Sequence, residues 1–243
     1  MALIAYDDAD AAAFAQTRHL RDDGLAGWRA AVGRHVRPAP GKRLLDLGCG
    51  TGSWTRAFRS WWPALDVLAV EPAAAMRERA VIAPVLPGAA DDIPAAHASL
   101  DAVWLSTVVH HIPDLEAAAR EIRRVLKPGA PVLIRSAFAG RHEAIHLFRW
   151  FPEAVAVLDG YPSVAGVEAA FATAGFGTAA CEPVAQVSAR SVAEAAATLR
   201  RAAHTPLQLI SDEAYAAGVA RLTEAARTGS GPVVDTLDLL VLR

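Results

Sequence analysis

Residues 43–62, RLLDLGCGTGSWTRAFRSWW, leave a folding chain few options. Leu44 to Leu47 form a short apolar run that reads as a buried strand, and Ser53 opens an amphipathic segment that Pro63 ends. Between them Gly48, Gly50 and Gly52 let the backbone turn sharply and come close to a ligand without side-chain clash. The same grammar recurs. DVLAV precedes Glu71 and a helix through Met76 to Val81; PVLPG and ADDIP follow; DAVWLSTVV leads into a helix from Asp114 to Leu126; PVLIRS comes after Lys127, Pro128 and Gly129. Strands alternating with helices predict a parallel sheet. TAACEPV and LDLLVLR supply two further strands, expected to pair antiparallel.

Three segments surround this core. From Asp8 to Val36 the chain is Ala-rich, with Phe14, Leu20, Leu25 and Trp28 at helical spacing, and Pro38, Pro40 and Gly41 end it: two short helices and a linker. GRHEAIHLFRWFPEAVAVLDGYP, from Gly140 to Pro162, is rich in aromatics and either roofs a pocket or packs a small core of its own. Ser191–Ala203 and Asp212–Arg227 read as two Ala-rich amphipathic helices before the last strand. With a net charge of -2 and a pI near 6.4, no basic field exists to hold a nucleic-acid backbone. Cys49 and Cys181 stand apart without a Cys/His ligand set, which argues against a disulfide scaffold or structural zinc and for a reducing compartment. Asp7, Asp8 and Asp10 stand where a secretory signal is positive, and no apolar run reaches membrane-spanning length. A cytoplasmic protein is expected, with no membrane or nucleic-acid partner.

The glycine turn also carries chemistry. A dinucleotide fingerprint is spaced G-x-G-x-x-G and seats a pyrophosphate at the helix start. Here the spacing is G-x-G-x-G, and Asp46 beside the turn would repel that anion. A ligand with a cationic ammonium and sulfonium and no phosphate fits the carboxylate better, and S-adenosylmethionine is such a ligand. LLDLGCGTGSWT resembles the glycine motif of class I S-adenosylmethionine-dependent methyltransferases; VLAVEPAAAM resembles their second strand and acidic loop; WLSTVVHHIPDLEAAAREIRRVLKPGAPVLI resembles their fourth strand, helix and fifth strand. The resemblance runs from Arg43 to Arg135 and extends to the single-domain methyltransferases of bacterial secondary metabolism. It implies an α/β, Rossmann-like, doubly wound, mixed seven-stranded sheet with N-terminal helices and helical lid insertions. It also implies one domain over 1–243: 1–40 an N-terminal helical lid, 41–136 the cofactor-binding core, and 137–243 the substrate-side insertions and last strands.

By the same resemblance Asp46, Gly48 and Gly50 line the methionine part of the cofactor, and Glu71 binds both ribose hydroxyls. Pro72 and Met76 flank the adenine. In GAADDIP the family's usual acid after the glycine is Ala89, so Asp91 is preferred over Asp92 as the reader of the adenine amino group, and the choice stays open. FAQTRHL resembles an aromatic-to-arginine helix of related small-molecule enzymes, which gives Arg18 the methionine carboxylate.

Methyl transfer is an in-line displacement at an activated carbon, so the protein has to align the nucleophile, exclude water and sometimes accept a proton; no metal is expected. The segment after WLS brings Ser106, expected among the cofactor-binding residues, together with Thr107, His110 and His111 to the carboxyl edge of the sheet. His110 is expected to be the base or positioning group, with His111 turned outward; the bland alternative is a loop histidine. His111, His142, His146, Trp150 and Tyr161, with Tyr6 and Phe14 from the N-terminal lid, are the candidate acceptor wall. The expectation is a monomer or homodimer that methylates a small aromatic or indole-like molecule at C, N or O, yielding S-adenosylhomocysteine. Methylation of a macromolecule, or cofactor binding without catalysis, are the alternatives.

Overall fold

The computed structural model describes Leu20 and residues 24–243. Among the described residues six strands form one sheet: β1 (Arg43–Leu47), β2 (Asp66–Val70), β3 (Ala102–Ser106), β4 (Val132–Ser136), β5 (Thr178–Ala189) and β6 (Val233–Leu242), in the order β2-β1-β3-β4-β6-β5. The first four run parallel, and β6 pairs antiparallel with both β4 and β5. The expected seventh strand is reduced to a single parallel bridge, Val70 to Leu86. Pro84 and Pro87 lie on either side of Leu86, and a residue without an N–H cannot extend a ladder. The backbone bonds made there are Leu86 N to Ala69 O at 2.9 Å and Glu71 N to Leu86 O at 3.0 Å.

Helices cover both faces, as alternating connections require. On one side α1 (Ala26–Val36) and α2 (Ser53–Trp61) pack Trp28, Trp54 and Phe58 against Leu44, Trp104 and Leu133. Trp28 meets Trp54 and Trp104 edge-on, each with ring centres 6.0 Å apart. After the short α3 (Ala74–Glu78), the other side carries α4 (Leu115–Val125), whose Ala118, Ala119, Ile122 and Val125 form one buried stripe. Asp114 caps it by accepting from Ala117 N at 2.9 Å. The helix expected through Val81 stops at Glu78, and the strand expected through Val109 stops at Ser106. Thr107 then takes a positive φ of 55° and turns the chain into a 3-10 turn at Val109–His111.

The segment after β4 folds as α5 (His146–Trp150) and α6 (Val155–Asp159), and α7 (Val164–Ala172) returns to the sheet. Following β5 come α8 (Val192–Thr198), α9 (Thr205–Gln208) and α10 (Asp212–Thr228). All of these but α7, whose Val167 and Phe171 pack in the core of the sheet, share a third apolar cluster built around Phe148, Phe151, Leu158, Tyr161, Leu207 and Leu222. Gly218 lets α10 reach that cluster, because a Cβ there would stand 2.0 Å from the Phe151 ring. The aromatic insertion therefore packs a core of its own and, as described next, also roofs a cavity. No helix among the described residues is long and apolar enough to cross a membrane.

Candidate active site

A cavity of about 830 Å³ opens at the carboxyl ends of β1, β3 and β4. One end is the glycine turn. Gly48, Gly50 and Gly52 all hold positive φ, and the N–H groups of Gly48 and Cys49 both donate to Val70 O, which ties the turn to β2. A Cβ on Gly48 would lie 2.8 Å from the Val108 side chain, so the turn tolerates no other residue at that position. Cys49 lines the cavity, but burial and the nearby Asp46 and Glu71 push its thiol well above its ordinary range, so it stays protonated.

Asp46 is 1% exposed and accepts from Thr55 Oγ1 at 2.6 Å. Burial pushes its carboxyl up to about 7; the Thr55 bonds oppose this and the charge of Glu71 adds to it. Raised above its unfolded value of 3.8, this group favours the folded state at low pH, and the benefit is lost as pH rises from about 4 through about 7. Urea denaturation of the ligand-free wild type should therefore show it losing ground to Asp46→Asn across that window, by up to about 4 kcal/mol. Asparagine keeps an oxygen for Thr55, so parallel curves for the two proteins would contradict the ionisation assigned here.

Glu71, buried at the end of β2, accepts from Gly50 N and from Ala73 N, each at 2.9 Å. Burial raises its pKa, and these two bonds partly offset the rise. Each carboxylate oxygen keeps a second lone pair for a ligand hydroxyl. Pro72, Met76 and Asp91 line the same end. Asp92 does not: Ala89 and Asp92 pair across a tight turn that leaves Asp91 at its tip, and Asp92 is exposed away from the cavity. Arg18, Tyr6 and Phe14 lie outside the described residues.

The other end is the acceptor-side wall. Ser106, Thr107, His110, His111, Trp150 and Tyr161 all line it. His110 stacks on Tyr161 with ring centres 4.0 Å apart and planes 10° from parallel. The expected outward turn of His111 is not found. A 3-10 turn rather than an α-helix carries the pair, and His111 sits in the wall with its ring centre 4.1 Å from that of His110. Burial lowers its pKa to about 4, which keeps it neutral at physiological pH. His142 and His146 lie outside the cavity. The His142 ring meets Phe148 edge-on at 6.1 Å, while His146 is drawn to Asp235, to which its backbone N–H donates at 2.7 Å.

The wall also includes Trp54, Arg135, Gln186, Ser188 and Asp235, which sequence reasoning missed. Arg135 carried a signal, a lone charge in the apolar run PVLIRS. Asp235 carried a weaker one, an acid in the alternation of VVDTLDLLVL.

A doubly wound sheet, a glycine turn backed by one buried acid and faced by another, and a cavity at the carboxyl ends of the strands define the architecture of class I methyltransferases. Residues 45–134 match the methyltransferase domain family, so this stretch carries that domain. Malonyl-(acyl-carrier protein) O-methyltransferase of Erwinia pyrifoliae is 38% identical over 109 residues, 44% of this chain and 41% of that protein. The chain thus spans about two fifths of the length of that curated relative. Among solved structures, a putative methyltransferase from an antibiotic biosynthesis pathway of Anabaena variabilis superposes with a TM-score of 0.70 at 17% identity, covering 89% of this chain and 96% of that one. Geranyl diphosphate C-methyltransferase of Streptomyces coelicolor, solved with Mg2+, geranyl diphosphate and S-adenosylhomocysteine, superposes with a TM-score of 0.55 at 15% identity, covering 89% and 78%. These structural likenesses bear on the fold.

Proposed function

We propose that this protein is a cytoplasmic enzyme of secondary metabolism that transfers a methyl group from S-adenosylmethionine to a small aromatic or indole-like acceptor. The observation that carries this reading is one continuous cavity, with two buried carboxylates at a glycine turn at one end and an aromatic, mostly apolar wall at the other. The residues present fit the cofactor. Glu71 offers two hydroxyl-accepting oxygens, Asp46 a carboxylate for an ammonium group, Pro72 and Met76 apolar surfaces for the adenine, and Asp91 an acceptor for its amino group. When bound, the cofactor supplies a methyl carbon activated by its sulfonium.

The chain's own residues do the rest. Phe148, Trp150, Tyr161 and Leu222 exclude water and hold a flat acceptor body. His110, its ring fixed against Tyr161, holds the nucleophile in line or takes its proton as the methyl group arrives. Among the described residues no group of three or more His, Cys, Asp or Glu is arranged to hold a metal ion.

Incubation with methyl-labelled S-adenosylmethionine and a panel of aromatic metabolites tests the reading. The expected result is label in a small-molecule product with S-adenosylhomocysteine formed in equal amount. Label that enters only added protein or nucleic acid would favour a macromolecular target, and cofactor binding with no transfer would favour a non-catalytic scaffold.

A further inference from the structure

We infer, on the reading that this cavity holds a methyl acceptor, that the acceptor carries a protonated amine and that Asp235 is the residue that selects it. Strand register places that acid. Arg135 lies opposite Leu239, and Gln186 lies opposite Asp235. Directly opposed residues share a face, and so do residues two apart along a strand, so Asp235, Leu237, Leu239, Gln186 and Arg135 all look to the same side of the sheet. Because β6 runs antiparallel to β4, its first residues stand at the carboxyl ends of the parallel strands, and Val233, Asp235 and Leu237 line the cavity there.

Asp235 is a covered acid without a permanent cation beside it. Its side chain is 17% exposed and accepts from Ser188 Oγ and, at 2.7 Å, from His146 N, with His146 Nδ1 3.3 Å away. These donors fix the plane of the carboxylate, and each oxygen keeps a further lone pair. Among the described residues its ion-pair partner is His146, which is a cation only when protonated. Acids covered to a similar degree elsewhere in the chain are paired differently. Asp101 meets Lys127 at 2.8 Å, Glu121 meets Arg124 at 2.6 Å and Asp238 meets Arg141 at 2.5 Å. A carboxylate withdrawn from water is costly unless a cation meets it, and Asp235 faces the cavity, so a ligand ammonium would complete there the pairing that lysine or arginine supplies to the other three. Asp91 and Asp114 also line the cavity, but both are exposed and water screens their charge. Arg135, on the same face, donates to Ser106 Oγ at 3.2 Å and to Gln186 Oε1 at 2.9 Å.

Asp235 stands three strands from β1, about 14 Å at the usual strand spacing, which sets it at the far end of the cavity from the glycine turn. The amine is therefore an anchor, and the rest of the acceptor reaches back toward the cofactor. Between the two ends Leu237, Phe148, Trp150 and Tyr161 supply apolar surface. The acceptor that fits is an arylalkylamine, its ring under the aromatic roof and its ammonium on Asp235.

Calorimetry near neutral pH on the full chain tests this with three probe pairs: 2-phenylethylamine, 3-phenylpropylamine and 4-phenylbutylamine against the alcohols of the same length. Saturating S-adenosylhomocysteine keeps the amines from the acids at the glycine turn. The wild type should bind at least one amine about 10-fold or more tightly than its alcohol, the gap expected between charged and neutral hydrogen-bond partners. In Asp235→Asn, which keeps an oxygen for His146 N but not the charge, that preference should fall to within about 3-fold while S-adenosylhomocysteine affinity stays within a few-fold of wild type. Asp235→Glu moves the charge by one methylene and should reorder the three amines, and it serves alone if the asparagine variant does not fold. Alcohols that bind as well as amines, or no amine binding at millimolar concentration, would overturn the inference. So would a preference that survives in Asp235→Asn or an order unchanged in Asp235→Glu, either of which would give the ammonium to another acid. Failure of the wild type to bind S-adenosylhomocysteine overturns the proposed function instead.

Discussion

Glu71→Ala should weaken S-adenosylhomocysteine binding by about 1.5 to 3 kcal/mol, roughly 10- to 150-fold, which is the range for hydrogen bonds to a charged group. The carboxylate has two duties at this point in the chain. Inward, it accepts from Gly50 N and Ala73 N and so holds the glycine turn against the loop after β2. Outward, its remaining lone pairs face the cavity where the ribose would sit. Alanine removes both, so the loss should fall at the upper end of that range. Glu71→Gln keeps one carbonyl oxygen and replaces the other with a donor facing an N–H group, so its loss should be intermediate. Calorimetric titration of the folded variants checks both, and unchanged affinity in Glu71→Ala would put the ribose elsewhere.

The second large effect is kinetic. His110→Ala should leave cofactor affinity within a few-fold of wild type yet lower turnover by roughly 100-fold or more if the imidazole is the general base, with one ionisation lost from the pH–rate profile. If it only positions the acceptor, His110→Asn should retain much of the rate and the profile should keep its shape. His111 lines the same wall. Its pKa near 4 makes it a weak base, so His111→Asn should lower turnover far less than His110→Ala and leave the pH profile above about 5 unchanged. The same depression has a consequence for folding. Relative to an unfolded value of 6.5, the neutral ring contributes stability above that pH that is lost as pH falls toward 4, opposite in sign to the contribution of Asp46.

Much of this was written locally in the sequence. Apolar strands, glycine turn and capped helices are short-range patterns, and β1, α2, β2, β4 and α4 fall within a few residues of where periodicity and breakers put them. The seventh strand is only half legible: its apolar residues show in the sequence, but Pro84 and Pro87 leave too few N–H groups beside Leu86 to build a ladder. At the site, Asp46, Gly48 and Gly50 sit together in one short stretch of chain, and Glu71 ends the very next strand, so all four are legible from local pattern. His142 and His146 sit in a segment whose aromatic composition suggests a pocket wall, but the fold gives them to Phe148 and Asp235 rather than to the cavity. Arg135, Gln186 and Asp235 come from strands far apart in the chain, and only the register of β4, β6 and β5 brings them into one row.

The central claim is that the cavity beside the glycine turn is built for a phosphate-free, cationic adenosyl ligand. Titrating S-adenosylmethionine, S-adenosylhomocysteine and the nicotinamide dinucleotides into the purified full chain tests it most directly. Micromolar binding of the two adenosyl ligands and no comparable binding of the dinucleotides is expected, because the Asp46 carboxyl in the cavity wall beside the glycine turn disfavours a pyrophosphate there. Preferential binding of a dinucleotide would contradict it.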